Sequence, residues 1–354
     1  MNKPEVLSMD IPALTALLTG WGEPSYRARQ LFTWLQKKGV TEFSAMSDLP
    51  ISLQKRLYEE TELSAPVIMR RLNTKKGDTV KLLLALADGE LIETVLMLYE
   101  RKNSRDRATC CISTQSGCAM GCAFCASALN KHPRNLSAGE MIAQAIAAVT
   151  IGQEYGFAGI SNVVFMGMGE PLANMTHLKQ AILLMNDAQG LNIGQRRITV
   201  STCGLIPQIY ELAQWGLQIN LAVSLHAAAQ EKRLRLMPIA ARYTIAELLT
   251  ACRYYRMKTG RRVTMEYALF SGVNDSEEDA RQLANLLAGE DILVNIIPAN
   301  NVIEAGFYSS ERELIKKFHT TIVSRGIEVA VRERRGTDID AACGQLRGGL
   351  SLSL

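Results

Sequence analysis

The chain has 354 residues, and 47% of them are hydrophobic, so it can bury a core for one large domain or two smaller ones. Its 39 lysines and arginines stand against 35 aspartates and glutamates, a balance too even to indicate nucleic-acid binding by itself. The sequence has no apolar leader and no apolar run of about 18 residues, which argues against a membrane span and predicts a cytoplasmic protein. Eight cysteines in such a chain favour metal or redox chemistry over a disulfide framework.

The first part of the chain, residues 1–75, is predicted to form a small helical accessory domain. Its clearest helix runs from Tyr26 to Lys38, where apolar side chains recur at helical spacing. Gly39 follows directly and predicts the end of that helix.

A β-hairpin extension is predicted for residues 76–106. Val80 to Leu86 and Leu91 to Leu98 are rich in strand-forming residues, and Asp88-Gly89 between them is a strong hairpin signal. The sequence therefore places a two-stranded element between the helical domain and the core.

From residue 107 to 354 strands and helices alternate, which predicts an α/β core with a parallel sheet and crossover helices. Six β/α units favour a partial (β/α)6 barrel, while a doubly wound sheet stays open because strand order is invisible in one sequence. The predicted strands are Ala108 to Ser113, Ser161 to Met166, Arg197 to Ser201, Ile219 to Ser224, Val263 to Leu269, Leu293 to Ile297 and Glu328 to Arg332.

Two helix starts are marked by polar residues. Ser137 followed by Glu140 predicts a capping box, in which each side chain accepts a hydrogen bond from the other residue's backbone amide. Ser309, with Glu311 and Glu313 after it, predicts a second helix start with acidic residues in the first turn.

Three cysteines, Cys118, Cys122 and Cys125, follow the first core strand with the spacing CxxxCxxC. Thiolates suit iron-sulfur clusters, and three of them would leave the fourth iron of a 4Fe-4S cluster open to a cofactor or substrate. A structural zinc site remains an alternative, although it needs four ligands and His132 would have to bend back to supply the last. Cysteines without a functional role are the third possibility.

This spacing on a strand-to-helix loop resembles the radical S-adenosylmethionine (SAM) superfamily, and Phe124 fits the same resemblance. In that superfamily SAM chelates the open iron, and one electron from the reduced cluster cleaves SAM to a 5′-deoxyadenosyl radical. The superfamily's partial or full β/α barrel agrees with the predicted core.

The whole chain resembles the RlmN and Cfr family of RNA adenine methyltransferases. That family methylates ring carbons that cannot attack a sulfonium methyl group. The stretches that match are Gly22 to Arg27, Ile92 to Val95, Cys111 to Gln115, Gly167 to Leu172, Ser224 to Ala227 and Asp338 to Leu346.

The resemblance implies three catalytic residues. Cys343 would take a methyl group from one SAM, and a second SAM would supply the radical that joins this methyl carbon to adenine. Cys111 would then release the methylated base by forming a disulfide with Cys343. Glu93 matches the family's proposed general base.

The resemblance also implies a set of SAM contacts. Glu170 could accept a hydrogen bond from the SAM ammonium group, and Gly167 and Gly169 would permit close backbone approach. The predicted cofactor residues are Gly169, Glu170, Ser201, Ser224, Leu225, His226 and Asn300. Cys110, Cys203 and Cys252 have no implied role and are expected to be buried packing residues.

The reaction expected is methylation of adenine C2 in large-subunit (23S) ribosomal RNA, with transfer RNA as a second substrate. Methylation at C8, as in Cfr, is the alternative, but Pro171 and Met120-Gly121 look more like the C2 enzymes. An activase acting on protein and a non-catalytic iron-sulfur module are rivals of other classes.

The implied partners are RNA and a one-electron reductant such as flavodoxin or ferredoxin, with the protein itself a monomer. Phosphate contacts are expected from the accessory domain and three basic clusters. These clusters are Arg70, Arg71, Lys75 and Lys76; Arg101, Lys102, Arg105 and Arg107; and Arg332, Arg334 and Arg335.

Overall fold

The structure, a computed structural model, describes residues 3–100, 106–129, 133–300, 306–341 and 344–346. Within these ranges no helix is long and apolar enough to cross a membrane. The α-helices are α1 (Ile11–Gly20), α2 (Tyr26–Phe32), α3 (Ile51–Glu60), α4 (Ala138–Glu154), α5 (Met175–Asn186), α6 (Ile206–Leu212), α7 (Gln230–Leu236), α8 (Ile245–Thr259), α9 (Glu277–Leu286) and α10 (Arg312–Val323).

A single sheet of ten strands runs through the molecule in chain order. Its strands are β1 (Val67–Asn73), β2 (Thr79–Ala85), β3 (Leu91–Tyr99), β4 (Arg107–Cys111), β5 (Asn162–Phe165), β6 (Ile198–Thr202), β7 (Asn220–Ser224), β8 (Val263–Leu269), β9 (Ile292–Pro298) and β10 (Glu328–Val331). The first four strands pair antiparallel, and β4 to β10 pair parallel.

The strand order decides between the two predicted architectures. A doubly wound sheet reverses its strand order at a switch point. Here each parallel strand lies beside the next strand along the chain, with helices in every connection. The core is therefore the predicted partial barrel of six β/α units, and the carboxyl ends of its strands meet at one edge, where such folds place their sites.

Most predicted elements are confirmed to within two residues, including the hairpin and the seven core strands. The helix from Tyr26 begins as α2 and continues as a π-helical turn, Thr33–Lys37, and Gly39 follows with a φ of 63°. The capping box of Ser137 and Glu140 is present in both directions at the start of α4.

Two predictions of local structure are wrong. Residues 1–75 were predicted to be helical, but they include the strand β1. Because β1 is an edge strand with Val67 and Met69 exposed, it lacks the alternation of apolar and polar residues that would have indicated a strand. Ser309 does not open α10; Glu311 is the N-cap residue, and Ser309 instead bridges to Phe270. The domain boundaries at residues 75 and 106 stay a prediction.

The C-terminal segment returns to the hairpin strands β2 and β3. Arg335 donates to the carbonyl oxygen of Leu98 at 2.9 Å and stacks 4.0 Å from the centre of the Tyr99 ring. Lys81 Nζ on β2 donates to the carbonyl oxygen of Asp340 at 3.0 Å. These contacts hold the segment against the part of the sheet that precedes the barrel.

The loops after β4 and β5 are packed so closely that two glycines are required. A Cβ at Gly167 would lie 2.7 Å from the carbonyl carbon of Ile112. Gly169 has a φ of 101°, and a Cβ there would lie 2.6 Å from Cβ of Gln115. Glu170 N also donates to Gln115 Oε1 at 2.8 Å, so the two loops form one unit.

We predict that Gly169→Ala lowers the free energy of unfolding by about 2–5 kcal/mol, since it combines a strained φ with a backbone clash. The matched control is Gly194→Ala, where no atom lies within 4 Å of the added Cβ and φ is −60°. That change should cost less than about 1 kcal/mol. Urea unfolding of both variants measures the difference, and equal stability would contradict the packing described.

Candidate active site

The three motif cysteines lie on the loop that follows β4. Burial, with a smaller contribution from the neighbouring Cys125, raises the pKa of the Cys118 thiol to about 12. Burial likewise raises the pKa of Cys122, with further increases from Cys125 and Cys118. Mutual effects of this kind arise between neighbouring thiols, and neighbouring thiols need a cationic centre to become thiolates together.

The donor set fits an iron-sulfur cluster, because sulfur is the ligand that such clusters take and the three thiols are neighbours that affect one another's pKa. Among the described residues, no three side chains of His, Cys, Asp or Glu are close enough as they stand to hold a single metal ion. The cluster assignment therefore depends on the type, number and spacing of the donors.

Neighbouring segments hold the cysteine loop from two sides. Ala123 N donates to the carbonyl oxygen of Leu236, the last residue of α7, at 2.9 Å. Ala126 N donates to the carbonyl oxygen of Gly344 at 2.8 Å, and Ser127 Oγ donates to that of Leu346 at 2.8 Å. The C-terminal segment thus contacts the cysteine loop as well as the hairpin strands.

A cavity beside this loop, which we call the cofactor cavity, lies at the carboxyl ends of the barrel strands. It brings together one motif cysteine, four of the predicted cofactor residues and several residues that were not predicted. Its lining includes Cys125, Phe124, Gly167, Ser201, Ser224, His226, Asn300, Glu266, Arg332 and Gly344.

His226 is held in an unusual backbone conformation at the wall of this cavity. Its φ is 56°, which is uncommon for a residue other than glycine and marks a constrained site. Its Nδ1 accepts a hydrogen bond from Ala268 N at 3.0 Å, and the ring meets that of Phe124 edge to face at 4.9 Å. Burial lowers its pKa to about 3, with a smaller effect of Arg233, so the imidazole is neutral.

Glu170, Gly169 and Leu225 do not line the cofactor cavity. The Glu170 carboxylate accepts hydrogen bonds from Leu172 N at 3.1 Å and from Cys203 N at 2.8 Å. Burial raises its pKa, and these bonds oppose the increase. The carboxylate therefore joins the loops after β5 and β6, and its contact with the SAM ammonium stays a prediction.

A second cavity, the thiol cavity, adjoins the first. Cys111 lines it, together with Val95, Met97 and Tyr99 of β3 and with Ala341 and Leu346. The two cavities share Met166, Ile297, Asn300 and Arg332. Cys343 lies outside the described residues, but its described neighbour Ala341 lines the thiol cavity and Gly344 lines the cofactor cavity.

Glu93 is buried on β3, on the same face as the residues of that strand that line the thiol cavity. Lys81 Nζ lies 3.2 Å from Glu93 Oε1, and both side chains are almost completely buried. Because Lys81 also donates to the carbonyl oxygen of Asp340, one ammonium group links the predicted base to the C-terminal segment.

Sequence reasoning missed Lys81 and Glu266. Lys81 lies between Val80 and Leu82 in an otherwise apolar strand, and a lysine inside such a run was a signal that could have been used. Glu266 lies beside Ser224 on β7 and Asn295 on β9, and its Oε2 accepts a hydrogen bond from Asn295 Nδ2 at 2.9 Å.

Other predicted residues have simpler outcomes. Cys110, Cys203 and Cys252 are buried in the core as expected. Among the basic clusters, Arg71 pairs with Glu154 and Arg335 pairs with Asp78 and Glu333. Arg70, Lys75 and Lys76 are exposed. Arg101, Lys102 and Arg105 lie outside the described residues.

Comparison with known proteins agrees with this site. Residues 112–284 match the model of the radical SAM superfamily, and residues 5–63 match that of the ribosomal RNA large subunit methyltransferase N-terminal domain. A crystal structure of a radical SAM methyltransferase from Sphaerobacter thermophilus is similar with a TM-score of 0.93 and 43% identity, covering 97% of this chain and 99% of that one.

Curated relatives extend over nearly the full length. The probable dual-specificity RNA methyltransferase RlmN of Clostridium perfringens strain 13 is 46% identical over 97% of this chain and 96% of its own. That of Alkaliphilus oremlandii is 47% identical over 98% of both chains. The predicted resemblance is therefore confirmed, and the chain belongs to the RlmN family of dual-specificity RNA methyltransferases, radical SAM enzymes that use a 4Fe-4S cluster and S-adenosylmethionine.

Proposed function

We propose that this chain methylates C2 of an adenine in 23S ribosomal RNA and in transfer RNA, with Cys343 as the carrier of the methyl group. The observation that carries the proposal is the pair of adjoining cavities, one beside the cysteine loop and one containing Cys111, with the C-terminal segment reaching both. When bound to Cys118, Cys122 and Cys125, the cluster supplies the electron that cleaves SAM.

The position of the C-terminal segment supports the carrier role of Cys343. Ala341 and Gly344 stand on either side of this residue in the sequence, and each lines one of the two cavities. A methyl group carried at that point would pass from the SAM side to the side where Cys111 lies. Cys111 would then attack the sulfur of Cys343 and release the base, which needs the two sulfurs to meet.

Burial of the Lys81 and Glu93 pair supports the proposed general base. The opposite charge of Lys81 offsets the cost of burying the Glu93 carboxylate in a site from which water is excluded. A charged carboxylate can take the proton that leaves the adenine carbon before the base departs. We assign Lys81 as the residue that positions this base.

The lining of the cofactor cavity supports a role in binding SAM beside the substrate. Neutral His226 and the Phe124 ring form an apolar wall, while Ser201, Ser224 and Asn300 offer hydroxyl and amide groups to a bound ligand. Because Asn300 and Arg332 line both cavities, they would contact cofactor and base from the shared boundary.

Arginine side chains at the thiol cavity support an RNA substrate. Arg332, Arg334 and Arg335 line this cavity, and the exposed Lys75 and Lys76 lie close by, where Lys75 N donates to Asp338 Oδ2. Phosphates of an RNA loop with an extruded adenine fit such a rim. A cytoplasmic location, a monomeric state and a flavodoxin or ferredoxin as reductant belong to the same proposal.

Mass spectrometry of digested RNA tests the product. Ribosomal and transfer RNA from a strain without the gene should lack 2-methyladenosine, and complementation with this chain should restore it. Restoration of 8-methyladenosine instead would assign the Cfr reaction and contradict the proposal.

We predict that Cys111→Ala traps the enzyme as a covalent adduct with RNA, because the thiol that releases the base is gone. Methylated product should fall at least about tenfold, in keeping with loss of a catalytic group. Cys252→Ala, which changes a buried cysteine lining neither cavity, is the control and should turn over normally. The adduct is measured by denaturing gel electrophoresis with labelled RNA, and its absence would contradict the assigned role.

We predict that Lys81→Met slows release of the methylated base by about 10- to 1000-fold, because Glu93 loses its buried ion-pair partner and with it the position of the proposed base. Lys81→Arg keeps the charge and should recover most of the rate. Single-turnover assays with RNA, together with urea unfolding, separate the loss of chemistry from a loss of stability. A normal release rate in Lys81→Met would show that the ion pair has no part in the reaction.

A further inference from the structure

Arg233 of α7 has a charged side chain that is buried in the protein. It is 1% exposed and is among the largest fully buried side chains of the described chain. Its Nη2 donates to the carbonyl oxygens of Cys203 at 2.8 Å and Ser224 at 3.3 Å. Its Nε finds no hydrogen-bond partner among the described residues. Among the residues that the structure describes, the hydrogen-bond partners of the guanidinium are therefore neutral main-chain groups.

A buried cation of this kind needs a negative partner, because moving it out of water costs several kcal/mol. Glu170 is a buried acid that bonds to the same segment, and its oxygens accept hydrogen bonds from Leu172 N and Cys203 N. Glu170 and Arg233 thus bond to opposite ends of one residue, Cys203, and no ion pair forms between them. Burial lowers the pKa of Arg233, and the groups that oppose this are the thiols of Cys203, Cys122 and Cys252.

The same helix contacts the cysteine loop directly. The carbonyl oxygen of Leu236 accepts from Ala123 N, between the second and third motif cysteines. A Cβ at Gly121, one residue before Cys122, would lie 3.6 Å from Cγ of Pro238. Arg233 also acts on Cys122, whose pKa it lowers while burial and the neighbouring acidic groups raise it. The positive charge therefore lies on the helix whose last residue bonds to the cysteine loop.

We propose that Arg233 is the counter-charge of the iron-sulfur cluster and makes the cluster easier to reduce. The inference rests on the proposed binding of the cluster to the three motif cysteines. A cluster with three thiolates carries net negative charge, and this charge grows by one when a one-electron donor reduces it. A fixed cation in a site of low dielectric constant stabilises the more negative state and raises the reduction potential.

The test compares anaerobically reconstituted wild type with Arg233→Gln, Arg233→Lys and Arg235→Gln. Arg235 is exposed on the same helix, so its substitution removes the same charge where solvent screens it. Iron and sulfide analysis measures cluster content, and a redox titration followed by electron paramagnetic resonance measures the reduction potential. We expect Arg233→Gln to lower the equilibrium constant for reduction at least tenfold, which is about 59 mV for a one-electron couple. Arg233→Lys and Arg235→Gln should stay within about threefold of wild type.

If Arg233→Gln fails to hold the cluster while Arg233→Lys holds it, the requirement for charge is again supported. The inference is overturned if the cluster of Arg233→Gln has the reduction potential of wild type. It is also overturned if Arg235→Gln lowers the potential as much as Arg233→Gln does. It is equally overturned if Arg233→Lys behaves as Arg233→Gln does, because the hydrogen bonds of the guanidinium rather than its charge would then matter. A wild-type chain that binds no cluster would contradict the proposed function itself. Failure of the proposed function is therefore distinguishable from failure of the inference about Arg233.

Discussion

Docking of the C-terminal segment onto the rest of the molecule is the interaction on which the site depends. Arg335 fixes one end of the segment to β3, and Gly344 and Leu346 bond to the cysteine loop. Between them, Ala341 N donates a hydrogen bond to the carbonyl oxygen of Gly336 and closes a tight turn. A Cβ added at Gly336 would lie 2.7 Å from the Ala341 Cβ. Residues far apart in the sequence are thereby held at one edge of the barrel.

This docking explains why the hairpin strands are continuous with the barrel sheet. β3 contributes both the face that lines the thiol cavity and the buried Glu93, and β4 continues directly into the cysteine loop. A separate domain could shift relative to the barrel, whereas a shared sheet fixes the distance between Glu93, Cys111 and the cofactor cavity. Catalysis by positioned groups requires such fixed geometry.

The cost of burying ionisable side chains around the site is offset in a different way for each of them. Lys81 and Glu93 form an ion pair, and Glu170 is held by backbone amides. His226 is neutral because burial lowers its pKa. Arg233 has no acidic partner within the described chain, which is why a negative cofactor nearby is the economical explanation of its burial.

Much of this could be predicted from the sequence, because strand periodicity, the hairpin turn and the cysteine spacing are local signals. β1 was missed since an edge strand with an exposed face carries no such alternation. Lys81 was missed because its partner Glu93 lies diagonally opposite it on the neighbouring strand β3. That contact depends on the register of the two strands, which the sequence does not show. The contact of Gly167 and Gly169 with a cofactor stays a prediction, and their close packing against the loop after β4 could not be predicted because it depends on how two loops distant in the sequence meet.

Transfer of the methyl group through Cys343 is the central claim, and a pulse-chase experiment tests it most directly. The reconstituted enzyme is given deuterium-labelled SAM without RNA, freed of excess cofactor, and then supplied with unlabelled SAM, reductant and RNA. We expect a labelled methyl group on the peptide that contains Cys343, followed by deuterium in the first methylated adenine. An unlabelled Cys343 peptide, or a first product without deuterium, would contradict it.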